Sequence, residues 1–176
     1  MYPYLRLVKV IICASLGKRL ELGSSGTLNM FVWPSDIDFY PEMNNGRHLT
    51  VMDLGRIDIS VRTGLFQLVH SRGWGFVAAG ASVRFRHPLR PLRRYQLHTK
   101  PIGQDGRWFY FLQETVQKGK TCSSALIRGG IKDKSGLVPA REVLQALGKA
   151  EWNPELPDWV KHWIEADDQR VMGEAG

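Results

Sequence analysis

From about Asn44 to Thr63 the apolar residues Leu49, Val51, Met52, Leu54, Ile57, Ile59 and Val61 do not keep to one stripe, which predicts a largely buried helix capped by Asn44 or Asn45. The β-branched content would also suit a strand, but a run of this length without a turn signal is too long for one. Gly46 and Gly55 inside it would each cost about 1 kcal/mol relative to alanine in an exposed helix. In a helix wrapped by a sheet they permit close backbone approach.

Beyond this helix the period changes to two. Val77, Ala79, Ala81, Val83 and Phe85 alternate with Phe76, Ala78, Gly80, Ser82, Arg84 and Arg86, so one face is apolar, until His87-Pro88 interrupts. Strands are predicted near 27–33, 75–87, 94–103, 107–117 and 121–132, with turns at Asp105-Gly106 and Lys118-Gly119. One long helix buried against one curled antiparallel sheet is an α+β fold. Gly23-Ser24-Ser25-Gly26 reads as a flexible connection, separating residues 1–25 from a domain over 26–136. In the tail, 137–176, Pro139 and Pro157 each suit the first residue of a short helix. Trp152, Trp159 and Trp163 in that tail need burial, and Glu165, Asp167 and Asp168 give it an acidic finish.

Residues 2–16 are apolar but interrupted by Arg6 and Lys9, far short of the roughly 20 residues of a spanning helix. They are expected to form a helix packed on the domain, with peripheral membrane contact through residues 1–16 as the other use of such a segment. The 176 residues are 43% apolar and 23% charged, an ordinary composition for one domain with its own core. Cys13 and Cys122 lie far apart without metal spacing, so no disulfide framework, metal or cofactor site is expected, and a reducing, cytoplasmic setting fits. The net charge of +7 is concentrated locally: Arg84, Arg86, Arg90, Arg93, Arg94 and Lys100 occur with no acid between the first and last. Such a cluster seeks phosphate. No nucleic-acid motif accompanies it, so nucleic acid is not the expected partner.

The densest chemistry lies from Trp33 to His48. Asp36 and Asp38 stand two apart, so in an extended strand they would project to the same side, just before a helix N-terminus whose N–H groups have no internal partner. Those N–H groups can stabilise an oxygen that gains negative charge, which suits acyl transfer. The alternative reading is two turn residues in a Pro/Asp-rich connection.

Trp33, Asp36, Asp38, Met43-Asn44-Asn45-Gly46-Arg47 and Met52-Asp53-Leu54-Gly55-Arg56 together resemble the signature of hotdog-fold thioesterases of the 4-hydroxybenzoyl-CoA thioesterase-like family. The resemblance covers residues 26–136. It implies a long central helix wrapped by an antiparallel sheet, hydrolysis of an acyl-CoA thioester, and a homodimer or dimer of dimers with sites at the subunit interface. It nominates Asp36 as the catalytic carboxylate, acting as nucleophile or general base. Backbone N–H groups from Met43 to Asn45 are to polarise the carbonyl, with the Asn45 side chain orienting the aspartate or a water. On the substrate side stand Asp38, Glu42, His48 and, for the CoA phosphates, Arg90, Arg93 and Arg94. Relatives commonly carry Gly-His where this chain has Pro41-Glu42, and an aromatic residue at His48, which makes Glu42 a second candidate carboxylate. Other hotdog enzymes place the carboxylate within the helix, at Asp53 or Asp58 here, but the spacing of these to Arg56 and Arg62 predicts ordinary ion pairs. The alternatives are an acyl-binding hotdog protein without turnover and a basic module for membrane or nucleic acid.

Overall fold

In the computed structural model, which describes residues 2–170, the central helix α2 runs Asn45–Thr63. Asn44 caps it by accepting the Gly46 N–H at 2.9 Å, and Gly64, at φ +86°, ends it in the left-handed conformation that glycine adopts without strain. A Cβ on Gly55 would collide with Thr99 Oγ1 and come within 3.0 Å of Gln113 Nε2. The missing side chain thus lets the sheet approach the helix backbone.

The helix α1 (Tyr4–Leu16) precedes the strand β1 (Gly26–Phe31), and α2 is followed by α3 (Leu65–Ser71). Then come β2 (Gly75–Phe85), β3 (Arg94–Gln104), β4 (Phe109–Gln117), β5 (Lys120–Lys132), a short β6 (Leu137–Val138), α4 (Ala140–Ala146) and α5 (Asp158–Asp168). The sheet is antiparallel in the order β1-β3-β4-β5-β2, with β6 on β5. This is the arrangement expected of a hotdog fold. Alternation along β4 separates two cores: Phe109 packs with Leu65, Val69, Ile131 and Val143 on the α2 side, whereas Tyr110 joins Leu126, Leu156 and Val160 under α5. Within the tail, Leu156 and α5 therefore cover the face of the sheet that α2 leaves open, while α4 packs on the α2 side. Arg128, between Trp108 and Trp163, anchors α5 by pairing with Asp167 and Asp168.

The structure differs from the sequence-based expectation at five places. β1 stops at Phe31, because Pro34 opens a single 3-10 turn over Pro34–Asp36 instead of prolonging the strand. The helix α3 was not expected. A bulge between Ala78 and Gly80 resets the alternation along β2, so the predicted apolar face of that strand does not run its whole length. Pro139 and Pro157 sit one residue before their helices rather than within them. Trp159 is 51% exposed, whereas Trp152 and Trp163 pack against the cores.

On α1, Val10 and Ala14 are buried, and the helix packs along α2. Its other side, Tyr4, Leu5, Val8, Ile12 and Leu16, is exposed. No helix among the described residues is long and apolar enough to cross a membrane.

Candidate active site

The 3-10 turn folds Asp36 inward until its side chain is 1% exposed. Oδ2 accepts the Trp33 N–H at 3.0 Å and Arg6 Nη2 at 2.7 Å, Oδ1 lies 3.5 Å from Arg47 Nε, and the Asp36 carbonyl accepts the Asn44 N–H at 2.9 Å. One residue thereby ties α1, the turn and the start of α2 together. Arg6 also lies over the Trp33 ring. Among the described residues, three buried polar atoms here have no hydrogen-bond partner: Asp36 Oδ1, Arg6 Nη1 and the Tyr95 hydroxyl oxygen. Burial, with Asp36 adding to it, pushes the Tyr95 phenol up, and it stays neutral.

Asp38 has a different setting, so the two aspartates are not a matched pair on one strand face. Its N–H donates to the Glu42 carbonyl at 3.0 Å and Ile37 bridges to Met43, closing a tight loop. Oδ1 accepts the Tyr40 N–H at 2.9 Å, a local turn contact, and Oδ2 has no partner among the described residues. The side chain is half-buried. Phe39 and Tyr40, at the loop tip, are exposed and pack edge to face. Glu42 is half-buried in the same loop.

The helix N-terminus is more committed than its sequence implies. The Met43 N–H donates to the Leu89 carbonyl, that of Asn44 to Asp36, and that of Gly46 to the cap side chain. Of the three proposed oxyanion donors, only the Asn45 N–H has no acceptor among the described residues. His48 faces the core instead of a surface: it is 3% exposed, its Nδ1 is 2.9 Å from Ser123 Oγ, and its ring meets Phe85 edge to face. Burial pulls its pKa down to about 4, so it is neutral at physiological pH. Asp53 and Asp58 pair with Arg56 and Arg62 as their spacing predicts.

Hollows along α2 connect these groups. One of about 500 Å³ is lined by Tyr2, Asp36, Asp38, Asn44, Gly46, Arg47 and Thr50. It shares Tyr2 and Thr50 with a second of about 490 Å³, which shares Asp53, Arg56 and Ala78 with a third of about 320 Å³. The third is mostly apolar, with Phe66, Phe76, Phe109 and Phe111 in its wall. Gly46, Thr50, Asp53, Ile57 and Ser60 recur every three or four residues, so one stripe of α2 forms the floor of a continuous groove. At the Asp38 end, the β2–β3 connection is laced to the loop by Val32 N–H to Arg93, Leu92 N–H to Val32 and Met43 N–H to Leu89. Exposed Arg90, Arg93 and Arg94 therefore stand beside the candidate site without any ion pair among the described residues. No cluster of His, Cys, Asp or Glu suited to a metal occurs among those residues.

Sequence reasoning missed Arg6, Tyr2 and Tyr95. A charge interrupting an apolar run was the one visible signal for Arg6; nothing marked the tyrosines.

Comparison with known proteins agrees with this architecture. A family model described as the thioesterase-like superfamily matches residues 32–164. The protein THEM6 of Xenopus laevis is 33% identical over 82% of this chain and 71% of its own length. Among solved structures, the probable thioesterase YbaW of Escherichia coli superposes with a TM-score of 0.64 at 19% identity, covering 70% of this chain and 97% of its own. A 1,4-dihydroxy-2-naphthoyl-CoA thioesterase of Synechocystis gives 0.61 at 16%, over 73% and 98%. The matched family region leaves out α1, and with it Arg6 and Tyr2.

Proposed function

Because the chain belongs to the thioesterase-like superfamily, we propose that it hydrolyses an acyl-CoA thioester, with Asp38 as the reacting carboxylate. The observation that carries this reading is the placement of Asp38, one of whose carboxylate oxygens has no partner among the described residues, at the mouth of a groove that ends in an apolar cavity and runs past the start of α2, whose Asn45 N–H has no acceptor among those residues. Asp36, the residue that the family resemblance nominates, is a poorer candidate. Its charge is already opposed by two guanidinium groups and its side chain is 1% exposed, so although it borders the groove it could reach a carbonyl only by breaking the contacts that hold the loop.

In this scheme the thioester oxygen sits on the Asn45 N–H, at the positive end of the α2 dipole. Asp38 attacks the carbonyl carbon, or takes a proton from a water that does. The carbon–sulfur bond breaks, the acyl group leaves as the acid after water adds, and the sulfur of coenzyme A ends as a thiol. The 320 Å³ cavity takes the apolar part of the acyl group, and Arg90, Arg93 and Arg94 take the CoA phosphates. The free edge of β2, where Ala78, Ala79 and Ala81 are exposed, is where a second copy adds to make the homodimer.

The test is turnover of a panel of acyl-CoAs, followed with a thiol reagent, for wild type and D38N. D38N is expected to lose about 100-fold or more in kcat while keeping its fold and oligomeric mass. A wild type that binds acyl-CoA without releasing thiol would replace this reading with the acyl-binding one. A fully active D38N beside a D36N that keeps its fold and oligomeric mass but is inactive would return the catalytic role to Asp36.

A further inference from the structure

α1 presents an unusual surface. Leu5, Val8, Ile12 and Leu16 recur three and four residues apart and form one stripe, with Leu5 89% and Leu16 85% exposed. The stripe lies opposite Val10 and Ala14, the residues that seat the helix on the domain. An apolar face of this kind, free in water, opposes the hydrophobic effect unless something covers it.

The charges beside it indicate what does. Residues 1–20 contain Arg6, Lys9, Lys18 and Arg19 and no acid; the first carboxylate is Glu21. Arg6 is engaged with Asp36, whereas Lys9, Lys18 and Arg19 are exposed. A second copy of this face would bring like charges together, while a surface carrying negative charge over hydrocarbon matches both features. At 1.5 Å per residue the 13 residues of α1 reach only about 20 Å, so the helix suits lying in an interface and not crossing one.

We propose that the outer face of α1 docks the protein on an anionic lipid surface, with the apolar stripe inserted at the headgroup boundary and Lys9, Lys18 and Arg19 on the lipid phosphates. The docking leaves the inner face of α1 on α2, so the groove mouth is held next to the lipid. It stands on exposure and charge alone and does not depend on the proposed reaction.

Co-sedimentation of the full chain with phosphatidylcholine vesicles, with and without phosphatidylglycerol, tests it. Binding is expected to need phosphatidylglycerol and to weaken with salt. L5E/I12E should lower the partition coefficient about 10-fold or more, and K9Q about 5-fold, the scale of one basic residue near such a surface. All these side chains are exposed, so unchanged melting temperatures would confirm that the variants are folded. Absence of binding, equal binding to neutral vesicles, or an L5E/I12E variant that binds like wild type would each overturn the proposal. So would a wild-type dimer that L5E/I12E dissociates while neither form meets vesicles, since the occupant would then be a second copy.

Discussion

Two groups of buried polar side chains under α2 are built differently. Around Gln113 and His48 the sequence places neutral or paired groups that satisfy one another: Gln113 Nε2 donates to the Met52 carbonyl and to Thr99 at 2.8 Å, Arg56 donates to Gln113 Oε1, and His48, Ser123 and Thr115 form a chain of contacts of 2.8–2.9 Å. Around Asp36, by contrast, three of the four unpartnered buried polar atoms among the described residues come together. Buried groups that serve structure alone are normally satisfied, since a lost partner in low dielectric is costly. The unsatisfied group lies next to the loop that carries Asp38. The unmet bonds thus gather beside the carboxylate proposed above as the reacting group, with Arg128 Nε, under α5, as the exception.

D36N should break the contrast most strongly. Taking the charge from this buried carboxylate leaves the Arg6 guanidinium 2.7 Å from a neutral group, with an expected loss of about 3–5 kcal/mol in denaturant unfolding. A loss below about 1 kcal/mol would mean that the pair adds little to folding.

The His48 group should show itself through pH. Its folded pKa, about 4, lies below the ordinary value of 6.5, so between these limits the unfolded chain binds the extra proton. Its contribution is therefore complete above about pH 6.5 and is lost as pH falls towards 4, a change of about 3 kcal/mol. H48Q, which keeps a hydrogen-bonding group but does not titrate, should flatten that part of the wild-type stability–pH curve. Equal slopes in the two proteins would rule the assignment out.

S123A should cost less, about 1–3 kcal/mol, by removing the partner of His48 Nδ1 in the core, while Thr115 Oγ1 keeps the backbone N–H of residue 123; thermal melts with no change in KM would check it. The smallest effects belong to the surface. R93A and R94A should each raise KM for acyl-CoA about 5- to 10-fold at nearly constant kcat, because contacts with phosphate are shared by ground and transition states. A fall in kcat at unchanged KM would place those arginines in another role.

Much of the fold could be read along the chain. The cap at Asn44, the buried helix and its Gly55, and the succession of strands each rest on local chemistry, and each stands where the pattern put it. The departures share a cause. Asp36 and Asp38 differ because Pro34 starts a turn, which no two-residue alternation anticipates, and because the partners of Asp36 come from Arg6, 30 residues earlier, and from the start of α2. His48 belongs to the core through Ser123, 75 residues on. α3 was missed because its seven residues lie between Gly64 and the Gly73-Trp74-Gly75 stretch, too short for a period to declare itself. The α2 N-terminus was legible as a cap, but how many of its N–H groups were already committed depended on Leu89, in a distant connection.

The ion pair between Arg6 and Asp36 also bears on where the protein can be divided. A fragment trimmed to the family match, residues 32–164, would retain every motif by which a relative is recognised. It would discard a cation 2.7 Å from the carboxylate that ties the Asp36–Asp38 loop to α2. The matched family region and the structural unit then have different edges: α1 lies outside the family match and is a structural member by contact. Swapping this domain between relatives would carry over the site intact only if the helix travelled with it.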